Sequence, residues 1–239
     1  IRCLMEESYS GVGLYTYYLL QEMFRQDEIN HYILFYNSAK VVHIPKFNYS
    51  NVSIYEYTLS NKVLNFTLKF FHKPKIDEML GGLDILFLPN IQFVSVSSKC
   101  RLITTIHDIS FEKFPEFYTL KSRLWQKAVN PKRLIHASDS IISVSNHTKN
   151  DIIDKYNISE EKIHVIYSGI SKIYRTINDR TILDNVRRKY NLPQKFLLYL
   201  GNLEPRKNIE SIILAFKNSV VPNDIHLVIA GTNSWKYKN

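Results

Sequence analysis

Two neighbouring cations just ahead of a helical stretch are the strongest chemical signal in the sequence. In Leu198-Tyr199-Leu200-Gly201-Asn202-Leu203-Glu204-Pro205-Arg206-Lys207-Asn208, an apolar run stops at Gly201, where a backbone can turn at little steric cost. Arg206 and Lys207 then precede an amphipathic stretch that Asn208 is suited to cap. The first turn of a helix presents unpaired N–H groups and a partial positive charge, so two cations beside it suit a diphosphate. An ordinary strand–helix loop with two solvated cations has the same spacing, and the residues alone leave both readings open.

A second candidate is Thr104-Thr105-Ile106-His107-Asp108, which sets a histidine and a carboxylate at the end of a β-branched run. Histidine can donate or accept near neutral pH and the carboxylate can orient its neighbours, although plain structural hydrogen bonding would also explain the pair. The Gly11-Val12-Gly13 pair ahead of a helical pattern is weaker: Thr16 stands where the dinucleotide fingerprint needs Gly or Ala. Histidines 31, 43, 72, 136, 147, 164 and 226 lack ligand spacing, so no metal is expected. Cys3 and Cys100 lack CxxC spacing and read as buried thiols. No pair of carboxylates stands out as a hydrolytic dyad.

The elements that must position these residues alternate. Candidate strands cover residues 31–36, 52–57, 84–88, 102–106, 140–144, 162–167, 196–200 and 226–230. Helical patterns cover 14–25, 62–71, 119–136, 147–155, 181–190 and 209–218, with Asn146 and Asn208 as suitable N-caps. Runs such as 85–88 and 196–200 are apolar at every position, which predicts burial on both faces of a parallel sheet. The class expected is α/β, doubly wound. A seam is expected after Gly169, giving domains 1–170 and 171–239. The second would offer one strand–helix–strand crossover, and a two-stranded sheet with bare edges is not stable alone, so more chain is expected downstream.

The 239 residues are 45% hydrophobic and 22% charged, a globular balance, with net charge +9. Residues 1–110 are neutral, and the excess lies in 111–239. That bias suits nucleotide diphosphates, anionic lipid headgroups or nucleic acid; without a stacking-aromatic motif, nucleic acid is not expected. The chain starts at Ile1, and no run is long and apolar enough to span a bilayer, so it reads as cytoplasmic.

The loop at 201–208 resembles the signature of glycosyltransferase family 4 and its GT-B-type relatives, in which Gly-x-x-x-Pro-Arg-Lys-Asn opens the donor domain. The resemblance implies that Lys207, helped by Arg206, holds a sugar-nucleotide diphosphate, with Gly201, Asn202, Glu204 and Gly231 around the donor. Some members carry an arginine at the place of Asn202. Ser10-Gly11-Val12-Gly13 is similar to the family's first glycine loop, which implies that Gly11 and Gly13 approach the donor; Ile1–Leu4 would then end the preceding strand. His107 and Asp108 match the family's His-Asp element beside the reacting sugar. Ser143-Val144-Ser145 resembles its "Val-Ser, then helix" segment, with Ser145 on the cleft floor, and capping of the helix would by itself explain both Ser145 and Asn146. The family's two late glutamates cannot come from residues after Gly231, so this chain alone is expected to be inactive.

The resemblance implies a GT-B-type fold of two Rossmann-like domains, the second incomplete, and metal-independent, retaining sugar transfer to a glycan or lipid-linked acceptor, with no cofactor beyond the donor. A nucleotide-sugar epimerase or phosphorylase shares that architecture, and a non-catalytic sugar-nucleotide-binding module is the alternative of another class. Residues 61–75 also mix lysines 62, 69, 73 and 75 with Leu64, Phe66, Leu68, Phe70 and Phe71 and contain no acid. Such a segment either packs on the sheet or lies on an anionic membrane, where Lys121, Arg123, Lys127, Lys132, Arg133 and Trp125 would extend it.

Overall fold

A computed structural model describes residues 1–5 and 9–232. The chain divides into two compact units: Ile1–Lys113 with Leu124–Gly169, and Phe114–Arg123 with Ile170–Asn239.

The first unit is organised by four parallel strands in the order β3 (Ile85–Leu88), β4 (Arg101–Ile106), β5 (Ser140–Ser143) and β6 (Ile163–Val165). Leu88 pairs with Thr104, Ile106 with Ser143, and Ser143 with Val165. The β-branched runs place Ile106 and Ile141 in a core that also buries Ile135 and Ile152 completely. Burial of the central strands on both faces is what a helix-covered parallel sheet requires. Helices α6 (Pro131–Ala137) and α7 (Asn146–Tyr156) supply much of that cover, through Leu134, Ile135, Ile152 and Tyr156.

A separate parallel pair, β1 (Tyr32–Asn37) and β2 (Val52–Tyr57), carries a second apolar cluster of Leu4, Leu20, Phe24 and Leu34 beneath α1 (Gly11–Gln26). The strand end expected at Ile1–Leu4 is instead one 3-10 turn, Arg2–Leu4, closed by Leu4 N–H to the Ile1 carbonyl at 3.0 Å. The turn buries Leu4 fully and brings the Cys3 thiol to Thr16 Oγ1 at 3.2 Å, which a strand would not do.

The helix expected over 119–136 is two helices, α5 (Leu120–Val129) and α6. Asn130 sits in the left-handed region at φ +56° and accepts from Arg133 N–H, while Pro131 opens α6. Proline in a continuous helix would remove one ladder bond and collide with the preceding turn, but at the first position of a new helix it costs neither. Two short helices, α3 (Ile76–Met79) and α4 (Ser110–Lys113), follow the ends of α2 (Asn61–Phe70) and β4.

In the second unit, β7 (Lys195–Leu200) and β8 (Ile225–Ala230) pair in parallel through α9 (Ile209–Asn218), after α8 (Arg180–Lys189). Asp179 caps α8 by accepting from Thr181 and Ile182 N–H. The expectation that 196–200 is buried on both faces fails here: Leu197, Leu198 and Leu200 are all more than half exposed. A sheet of two strands gives each side chain too few neighbours to cover it.

Candidate functional site

In the first unit the candidate residues gather where β3, β4 and β5 end, the side on which open parallel sheets bind ligands. β4 delivers His107 directly after the buried Thr104, Thr105 and Ile106. Its Nε2 lies 3.0 Å from the Pro89 carbonyl, just past the end of β3. A carbonyl only accepts, so Nε2 carries the proton, and the neutral ring presents Nδ1 as an acceptor. Burial pushes the His107 pKa below its ordinary 6.5, against smaller raising effects from the Pro89 hydrogen bond and the Asp108 charge. Desolvation favours the uncharged ring.

Two helix starts hold that arrangement. Ser145 is the N-cap of α7: its Oγ accepts from Thr148 N–H at 3.1 Å, and Thr148 Oγ1 donates to the His107 carbonyl at 3.1 Å. Of the two residues suited to cap α7, Ser145 does so, and Asn146 is the first helical residue, with its amide donating to Tyr167. From α1, Tyr15 sets its ring edge-on to His107, 4.8 Å between centroids, with its hydroxyl 3.2 Å from Thr105 Oγ1. Asp108 turns toward α4, its Oδ1 accepting from Ser110 N–H and Oγ at 3.0 and 2.6 Å.

Gly11 and Gly13 do not form a loop before the helix; they occupy the first turn of α1, capped by Ser10. Gly13 is packed so that a Cβ would meet the Cys3 carbonyl oxygen and Tyr9 Cβ at 3.0 Å, whereas a Cβ at Gly11 would meet open space. Only Gly11 leaves room for something to approach the turn.

In the second unit, residues 201–208 leave β7 with Gly201 N–H bonded to the Ala230 carbonyl and Leu203 N–H to the Thr232 carbonyl. A Cβ on Gly231 would overlap the Gly201 carbonyl oxygen, so backbone proximity alone demands glycine there. Asn202 is exposed and accepts from Thr232 Oγ1 at 3.1 Å. Glu204 is buried, and its carboxylate takes Arg206 through Nε and Nη2 at 3.2 and 2.9 Å. A buried carboxylate needs such a partner, so Glu204 acts first as the anchor for Arg206.

Lys207 ends the 3-10 turn Pro205–Lys207 and is exposed. Asn208, expected to cap α9, stands at φ +50° and makes no side-chain capping bond. The first N–H groups of α9 are thus left without its amide, beside an exposed lysine.

The described residues gather no group of three or more His, Cys, Asp or Glu able to hold a metal ion. Reading the sequence missed Tyr15, Thr148 and Pro89, which hold His107. Tyr15's place two residues after Gly13, near the start of α1, was the available signal for one of them.

Residues 9–172 match the family described as Glycosyltransferase Family 4. The chain belongs to glycosyltransferase family 4. The family 4 match takes in Gly11, Gly13, His107, Asp108 and Ser145 and ends before the 201–208 loop. Among similar proteins, the O-antigen chain mannosyltransferase B of Escherichia coli is 28% identical over 141 residues, which are 57% of this chain and 36% of that protein. An uncharacterised glycosyltransferase of Methanocaldococcus jannaschii is 28% identical over 155 residues, 60% of this chain and 38% of its own length. The chain thus spans little more than a third of either relative. The crystal structure of Anabaena Alr3699/HepE in complex with UDP and glucose superposes with a TM-score of 0.53 at 14% identity, covering 97% of this chain and 60% of that one. The fold is GT-B-type α/β.

Proposed function

We propose that the protein moves a sugar from a nucleoside-diphosphate sugar to a glycan or lipid-linked acceptor with retention of anomeric configuration. The bond from the anomeric carbon to the diphosphate breaks, the acceptor oxygen bonds to that carbon on the same face, and the acceptor proton leaves with the diphosphate. Arg206 and Lys207 would supply the positive charge that steadies the departing diphosphate, a role that needs no metal. His107, with Nδ1 as acceptor, would take a hydroxyl of the reacting sugar, and Gly11 would admit the donor near α1. Asp108 and Ser145 would act through position, by shaping the turn after β4 and the start of α7. The first unit would take the acceptor and the second the nucleotide. The protein would work in the cytoplasm; no helix among the described residues is long and apolar enough to cross a membrane.

The observation that carries this reading is the exposed Lys207 beside an α9 start that Asn208 leaves uncapped. Because the Escherichia coli relatives are named mannosyltransferases, a nucleoside-diphosphate mannose is the first donor to test. Product analysis of the full-length protein with and without acceptor is the deciding experiment. Acceptor-dependent sugar transfer is expected. Donor turnover without acceptor would favour an epimerase, and transfer to phosphate a phosphorylase. Tight donor binding with no product would leave a binding module.

A further inference from the structure

Helix α2 carries two opposed faces. Leu64 and Leu68, one turn apart, are buried in the first unit. Phe66 and Phe70 lie two residues on, about 200° around the helix, and are 53% and 57% exposed. Phe71 is 64% exposed at the helix end, and Phe66 pairs with both other rings, with Phe70 at 4.8 Å and with Phe71 at 6.0 Å between centroids. Val63 joins them on the exposed side.

Exposed lysines border this aromatic patch. Lys62 and Lys69 share its side of the helix, Lys69 with its ammonium 5.0 Å from the Phe70 ring centroid, and Lys73 follows the helix end. Lys75 is different: its ammonium donates to Ser95 Oγ and the Val96 carbonyl, which turns it inward. In exchange, Arg133 Nη1 donates to His72 Nε2 at 2.8 Å and so brings the basic start of α6, with exposed Lys132, to the end of α2. Trp125 is not part of the patch, because it packs on the main core against Phe93. No acid occurs from residue 57 to 76, and Asp77 is buried, held by Ser97 N–H and Oγ.

We infer that this face of α2 seats the first unit on an anionic bilayer, with Phe66, Phe70 and Phe71 among the acyl chains and Lys62, Lys69, Lys73 and Arg133 at the headgroups. A basic helix with an aromatic face lies in the plane of a membrane interface, and cations complement its negative potential. Charge complementarity selects anionic lipid over a neutral apolar partner. The inference does not depend on sugar transfer, since its readout is binding.

The test is co-sedimentation of the full-length protein with phosphatidylglycerol-containing vesicles and with pure phosphatidylcholine vesicles, at low and high salt. Binding to the anionic vesicles alone, weakened by salt, is expected. Each lysine near the surface strengthens binding about five-fold, so Lys62, Lys69 and Lys73→Glu together should weaken it at least about 100-fold. In parallel, Phe70→Trp should shift its emission to the blue on adding anionic vesicles and be quenched by brominated lipid. That probe changes one exposed ring and keeps the test open if the triple variant does not fold. No binding to anionic vesicles, binding unaffected by the three lysine changes in a folded variant, or a Phe70→Trp spectrum indifferent to vesicles would each overturn the inference. So would burial of that tryptophan by self-association without lipid.

Discussion

With Nε2–H committed to the Pro89 carbonyl, His107 has one way to gain a charge, protonation at Nδ1, and its burial opposes that. A folded-state pKa below 6.5 means that the unfolded chain takes up the proton first as the pH falls. The stability held by the neutral ring is therefore complete above about 6.5 and lost as the pH drops below it, toward the folded-state value. His107→Gln keeps an amide donor for Pro89 and removes the titration. Denaturant melts between pH 7.5 and 5 should show a shallower loss in the variant than in the native protein; parallel curves would mean that the ring is not desolvated. At the same scale, Arg206 and Lys207 are adjacent in sequence and unequal in structure. Arg206 is anchored by buried Glu204, while Lys207 stands exposed at the α9 start. Spacing presented them as a pair because nothing in a linear motif tells which cation a buried carboxylate will take.

Among the elements, α7 shows how helix starts build the site. Ser145→Ala removes the oxygen that takes Thr148 N–H and loosens the Thr148 contact to the His107 carbonyl. A lost N-cap costs about 1 kcal/mol, and the midpoint of denaturant unfolding should fall accordingly; an unchanged midpoint would mean that water replaces the cap without loss. Element type was legible where the pattern was strong: α1, α9 and the strands at 102–106 and 140–144 follow from apolar period and β-branching. Three features were not legible. The 119–136 pattern keeps its helical period across Asn130-Pro131, so the break shows only in proline's missing N–H. Ile1–Leu4 is apolar enough for a strand, but burying Leu4 beneath α1 favours a turn. Ser145 and Asn146 both suit the cap of α7, and only the path of the chain out of β5 selects Ser145. For the site, His107 was legible at the end of a buried run, whereas Tyr15 and Pro89 reach it only through tertiary packing.

At the scale of the whole molecule, the first unit has a closed apolar core, while the β7–β8 pair leaves three leucines of β7 more than half exposed. The 239-residue chain is accordingly expected to enhance the fluorescence of a hydrophobic dye; a dye response no larger than that of a well-packed globular control would contradict this. The positive excess lies in residues 111–239, the stretch that holds Arg206 and Lys207, and a basic balance there suits an anionic ligand. The central claim is that Lys207 stabilises a departing diphosphate, and steady-state transfer by Lys207→Ala in the full-length protein tests it most directly. Turnover should fall about 100- to 1000-fold with thermal stability unchanged, and Lys207→Arg should restore only part of it, because a planar fork does not replace a flexible point charge. Native turnover in Lys207→Ala would contradict the account and remove the 201–208 loop from the chemistry.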